Sequence, residues 1–283
     1  MREILTQRQK YHIFFNADGY HNHLVHGLLT LYGLGAPKEA IEKHYKENTY
    51  YQRKLPKARE SIVRDMKSPE LLKKHLGKGK YYPEFLIFFQ NEIGEKGWEN
   101  VLNEYLFSGD EPAEDLLGRL YAGMSSHIAY YLNYSLNHEG FFHPFIHLGF
   151  GVEFKQPAII AEALAQAAVH ENSMSSYLFA TENESTMPGT KTIPDLIEDI
   201  RNDHKLSNAA KWEDGNKVRD GILKRAANEM IHHAKQWTVS EDNLNQKTAE
   251  MINATVYFTA AAQRPPKEVY YQVPCVAACD SKS

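Results

Sequence analysis

HNHLVHGLLTLYGL, residues 21–34, decides the fold class. Its apolar side chains, Leu24, Val25, Leu28, Leu29, Leu31 and Tyr32, recur three and four residues apart and build one wide stripe on an α-helix. Gly33 and Gly35 supply the stop, because glycine takes the left-handed backbone that ends a helix. Pro37 then opens a second helix at a first-turn position, with Glu39 placed to favour the helix dipole, and this helix runs to about Tyr51.

The same signals continue along the chain. Ser68-Pro69-Glu70 reads as a cap, a first-turn proline and an acid, and Gly77 closes that short helix. Pro83–Ile93 and Trp98–Phe107 read as two more. Ala113–Asn137 reads as one long helix or two in series, followed by a turn at His138-Glu139-Gly140. Pro157–His170 is so rich in alanine that it must pack closely on a neighbour. Asn183–Thr192 is the best internal loop. Helices resume at Pro194–Asn202, Val218–Lys235 and Ser240–Gln263, the last ending at Pro265-Pro266. No alternating run of period two occurs before Glu268. The expectation is an all-α, multi-helix domain.

Composition narrows the function classes. A hydrophobic share of 42% and a charged share of 24% are ordinary globular usage over 283 residues. A formal charge of -4 opposes nucleic acid as a partner, since phosphate binding needs concentrated positive charge. The polar start MREILTQRQK and the lack of any long apolar run predict no signal peptide and no membrane association, hence a cytoplasmic protein. Cys275 and Cys279 are the only cysteines, too few for a disulfide framework. The 17 tyrosines and 13 phenylalanines suit either plain helix packing or a pocket for a flat apolar ligand.

Histidines carry the chemical signal. His23 and His26 stand three apart within the first amphipathic helix, His143 and His147 stand four apart after Phe141-Phe142, and His170 ends the alanine-rich helix. Side chains at such spacings lie about 5–6 Å apart at Cβ and can converge on one ion. Neutral imidazole suits iron, zinc or copper, and no thiolate cluster competes. A single histidine on an apolar face is ordinarily a hydrogen-bonded core residue, so both readings stand from spacing alone. The adjacent His232 and His233 point about 100° apart and read as incidental. No G-x-G-x-x-G, P-loop, G-x-S-x-G or H-E-x-x-H is present, which sets aside the familiar nucleotide, hydrolase and zincin machinery.

The runs NHLVHGLLTLYGLGAPKEAIEKHYKENTYYQRKLP and GFFHPFIHLGFGVEFKQPAIIAEALAQAAVHE, with the later AAAQRPPKEV, resemble the questin oxidase-like family over about Asn22–Val269. The resemblance implies an oxidoreductase of secondary metabolism that oxidises or cleaves an aromatic polyketide ring, anthraquinone-like, with O2. It implies a non-haem iron held by histidines, with a modified lysine from a later part of the chain. An alternative within the family is an NADPH-requiring Baeyer–Villiger-type monooxygenase without bound metal. Carried over by position, His23, His26, His143, His147 and His170 are the candidate ligands. Asn22 and Glu153 are candidates for orienting the rings, and Tyr131, Phe141, Phe142 and Phe145 for the substrate wall. After Gln272 the sequence VPCVAACDSKS departs from the family pattern. The expected organisation is therefore one partial family domain over 1–272 and a divergent tail over 273–283. Such a form would lack the lysine and part of the pocket wall, so a catalytically inactive ligand- or partner-binding protein is the third reading.

Overall fold

The computed structural model describes residues 11–14, 21–121, 143–172, 175–184, 189–215 and 217–261. Among these the chain is all-α. The described residues form no strand, only isolated bridges such as Tyr11 with Lys54. The described residues fall into two compact units, one holding those up to 172 and the other those from 175 onward.

The first unit is built from α1 (Leu24–Gly33), α2 (Lys38–Thr49), α3 (Glu60–Asp65), α4 (Pro69–Lys73), α5 (Tyr82–Lys96), α6 (Trp98–Leu106), α7 (Glu111–Tyr121), α8 (His143–Glu153) and α9 (Pro157–Val169). The stop after α1 forms where the glycines place it. Gly35 takes a φ of +73°, and the Ala36 amide returns to the Leu31 carbonyl at 2.9 Å. Ser68 differs from its expected capping role. It precedes α4 without capping it, and its hydroxyl donates to the Glu70 carboxylate at 2.6 Å. The carboxylate two residues on is the stronger acceptor partner for that hydroxyl.

Helix α9 is the axis of this unit. Every residue from Ile159 to Val169 is buried, because α5, α7 and α8 all pack against it. A helix covered on all sides must be apolar nearly all round, and its alanines let the neighbours approach. The α5 face supplies Tyr82, Phe85, Phe88 and Phe89, all buried, each worth roughly 1.5–3 kcal/mol in removed apolar surface. On the α8 side the approach is closest at Gly151, where a Cβ would stand 2.8 Å from the Ile160 side chain and 3.0 Å from its backbone nitrogen. Gly77, at a φ of +71°, donates its amide to the Ala168 carbonyl at 2.8 Å and ties the α4–α5 connection to the end of α9.

The second unit contains α10 (Ser175–Glu184), α11 (Ile193–Asn202), α12 (His204–Ser207), a π-helical turn at Lys217–Leu223, α13 (Lys224–Ala234) and α14 (Leu244–Ala261). Thr192 and Asp195 form a reciprocal capping box at the start of α11. Leu206, Ala209 and Ala226 centre a small core. Asp214 is clamped by both guanidinium nitrogens of Arg225, which holds its carboxyl far below the usual range. His233 is paired with Asp203 at 3.1 Å, a structural contact on α13. No helix of the described residues is long and apolar enough to cross a membrane.

Candidate functional site

Three segments of the first unit bring their histidines together. His21 and His23 precede α1, and His26 lies in its first turn. His143 and His147 share one face of α8, and His170 follows the last residue of α9. The rings link in a string. His170 Nε2 lies 3.3 Å from His21 Nε2, and the His21 ring lies parallel to His143 with centroids 4.0 Å apart. His143 Nε2 is 3.1 Å from His23 Nε2, His23 Nδ1 is 3.2 Å from His26 Nδ1, and His26 Nε2 is 3.0 Å from His147 Nδ1. At the far end His147 Nε2 donates to Glu162 of α9 at 2.9 Å.

Burial sets the charge state of these rings. His21 is held well below the ordinary imidazole range, first by desolvation and then by the neighbouring His143 and His170. Desolvation also lowers His23 to about 4, with His147 adding to it. His170 is lowered to about 4 by burial against the opposing pull of its bond to the Gln166 carbonyl. Each of these three is a neutral ring with one N–H and one lone pair. Two of the string's rings have a fixed acceptor outside it. His170 Nδ1 donates to the Gln166 carbonyl, leaving Nε2 with the lone pair, and His147 Nε2 donates to Glu162, leaving its lone pair on Nδ1. Phe150 stacks on His26 at 4.9 Å and Phe14 meets the His21 ring edge-on at 4.9 Å, so apolar surface flanks the string.

The donor chemistry fits a borderline metal. Metal–nitrogen bonds of about 2.1 Å meeting at ordinary angles separate neighbouring donor atoms by roughly 3.0–3.4 Å, the range of the ring contacts here. The rings nonetheless meet in pairs rather than at one point. Among the described residues no group of three or more His, Cys, Asp or Glu side chains stands as a metal-holding set.

The five histidines picked out in the sequence all lie in this string, and the structure adds His21 and Glu162. His21 sits in the same short motif as His23 and was legible by proximity. Glu162 had its own signal, the lone carboxylate of a helix apolar but for it and Gln166, two turns before His170. The expected ring-orienting roles shift. Glu153 is exposed at the last position of α8, and the carboxylate that meets a ring is Glu162, whose burial on α9 brings it to His147. Asn22 is buried, but its oxygen accepts from the Leu24 amide and its Nδ2 reaches the His12 carbonyl at 3.5 Å, so it fixes backbone at the start of α1. Phe145 is 40% exposed and stacks on Tyr121 at 5.0 Å. Tyr131, Phe141 and Phe142 lie outside the described residues.

The family model described as questin oxidase-like matches residues 20–273, a span that contains the whole string. The chain belongs to the questin oxidase-like family. Similar family members include a Baeyer–Villiger monooxygenase of Cryptosporiopsis sp., 37% identical over 92% of this chain, and a Baeyer–Villiger oxidase of Paecilomyces divaricatus, 37% identical over 94%. A questin oxidase of Aspergillus terreus is 35% identical over 93%. This chain spans 56% of the length of each of these three relatives.

Proposed function

We propose that this chain carries the histidine site of an oxidoreductase that oxidises or cleaves an anthraquinone-like aromatic polyketide ring with O2. The observation that carries the reading is the buried string of imidazoles, of which His21, His23 and His170 are held neutral by desolvation. Neutral imidazoles in a dry site suit a non-haem iron, and three of the six gathered rings are held in that form. His23, His26, His143, His147 and His170 are the proposed ligand group, with His21 beside them. When bound, iron supplies the redox path by which triplet O2 reacts with a closed-shell aromatic ring.

The chain's own residues prepare that site. Glu162 accepts the hydrogen bond of His147 Nε2–H and so holds the ring with Nδ1 turned toward His26. The Gln166 carbonyl does the same for His170, and Arg119 holds the His170 carbonyl through Nη1, fixing the end of α9. Phe14 and Phe150 exclude water from the ring edges they cover. Gathering the rings raises their cost of protonation, which keeps the lone pairs available at neutral pH.

A second reading is favoured by the names of two relatives, Baeyer–Villiger monooxygenase and Baeyer–Villiger oxidase. In it the substrate is oxygenated without a bound metal and NADPH is the reductant. Metal analysis of the purified chain, followed by O2 uptake with 1,8-dihydroxyanthraquinone with and without NADPH, separates the two. Stoichiometric iron and uptake abolished in both His143→Ala and His147→Ala, with helicity retained, support the first. NADPH-dependent uptake by metal-free protein supports the second.

A further inference from the structure

Helix α9 carries a second polar side chain that the histidine string does not use. Gln166 is fully buried, and neither its amide nitrogen nor its amide oxygen has a hydrogen-bond partner among the described residues. Every other buried residue of α9 from Ile159 to Val169 is apolar except Glu162. Glu162 lies four residues before Gln166 and His170 four after, so the three share one face of the helix at one-turn intervals. The outer two are engaged, Glu162 with His147 and His170 with His21. The amide between them is orphaned at both atoms, the only described residue of which this is true. A buried amide without partners is unfavourable, and leucine or methionine would fill the same place without that penalty.

We propose that Gln166 is a specificity-determining residue that reads the oxygen-bearing edge of a small aromatic ligand beside the histidines. Its Nε2 donates to a ring carbonyl and its Oε1 accepts from the neighbouring phenolic hydroxyl. A carboxamide presents donor and acceptor side by side, which matches a carbonyl and hydroxyl on adjacent edges of a hydroxyquinone. A site built on such a pair rejects analogues that lack one partner. This inference rests on the reading of the chain as acting on aromatic polyketides.

The test is equilibrium binding of 1,8-dihydroxyanthraquinone and 9,10-anthraquinone to the purified chain and to Gln166→Met, which keeps the length and removes both polar atoms. The expected result is tighter binding of the dihydroxy ligand by the unaltered chain. In Gln166→Met that affinity falls about tenfold, and the ratio between the two ligands falls with it. Gln166→Asn, which withdraws the amide by one methylene, gives the same loss of ratio should Gln166→Met fail to fold. A folded variant with an unchanged ratio overturns the proposal, since an amide serving only structure or a trapped water would alter stability alone. If the unaltered chain binds neither quinone, the aromatic-polyketide reading itself fails, and this inference goes with it.

Discussion

Glu162 and His147 are a carboxylate and an imidazole with almost no exposure, and their single contact decides which nitrogen of the ring keeps its lone pair. Carboxylates in that position raise ligand basicity and hold ring orientation, and their loss costs roughly 10–100-fold in metal affinity. On the proposed iron-based reading, Glu162→Ala is expected to weaken iron binding within that range, read by calorimetric titration, while Glu162→Gln retains part of it. Equal affinity in all three proteins would remove the orienting role. His12 provides a separate test at this scale. It is buried, its Nδ1 accepts from the Phe14 amide at 3.0 Å, and desolvation, aided by Arg53, lowers it to about 4. The folded ring stays neutral while the unfolded one, near 6.5, takes a proton. As pH falls from about 6.5 to about 4 the unfolded state binds the extra proton and stability drops, by at most about 1.4 kcal/mol per pH unit for one such group, then levels off. Urea midpoints measured across that window on metal-free protein should fall, and His12→Asn should flatten the slope.

At the level of elements, helix existence was legible wherever apolar spacing and terminators agreed. Residues 21–35 announced α1 and its glycine stop, and Pro157 announced α9. Ends were less legible where side chains had competing partners, as at Ser68, whose hydroxyl chose Glu70. The string of rings was half legible. Spacing within one helix shows which histidines share a face, but not that His21 would lie against His143, a pairing fixed by how α8 meets the segment before α1. Two substitutions probe the elements directly. Gly151→Ala places a methyl where Ile160 already stands and is expected to cost about 1–3 kcal/mol by chemical denaturation. Thr192→Ala removes the capping box of α11 and should cost about 0.5–2 kcal/mol by chemical denaturation.

At the scale of the whole molecule, exposed apolar side chains occur in both units among the described residues, Leu34 and Phe107 in the first and Ile252 and Val256 in the second, while α9 shows almost nothing to solvent. If iron binds the folded string and not the unfolded chain, metal at 100 times its dissociation constant adds about 2.7 kcal/mol, which a thermal shift and its reversal by chelator would register. The absence of any shift with iron would count against the metal-based function.

The seclusion of α9 has a practical consequence. One stretch of thirteen residues is at once the packing centre of its unit and the mount for Glu162 and Gln166, with His170 directly after it. Its amides should be among the last to exchange with deuterium, so these polar side chains ride on a slow-opening part of the chain. An engineer seeking altered selectivity would change Gln166 singly rather than randomise the whole segment, which would loosen the scaffold.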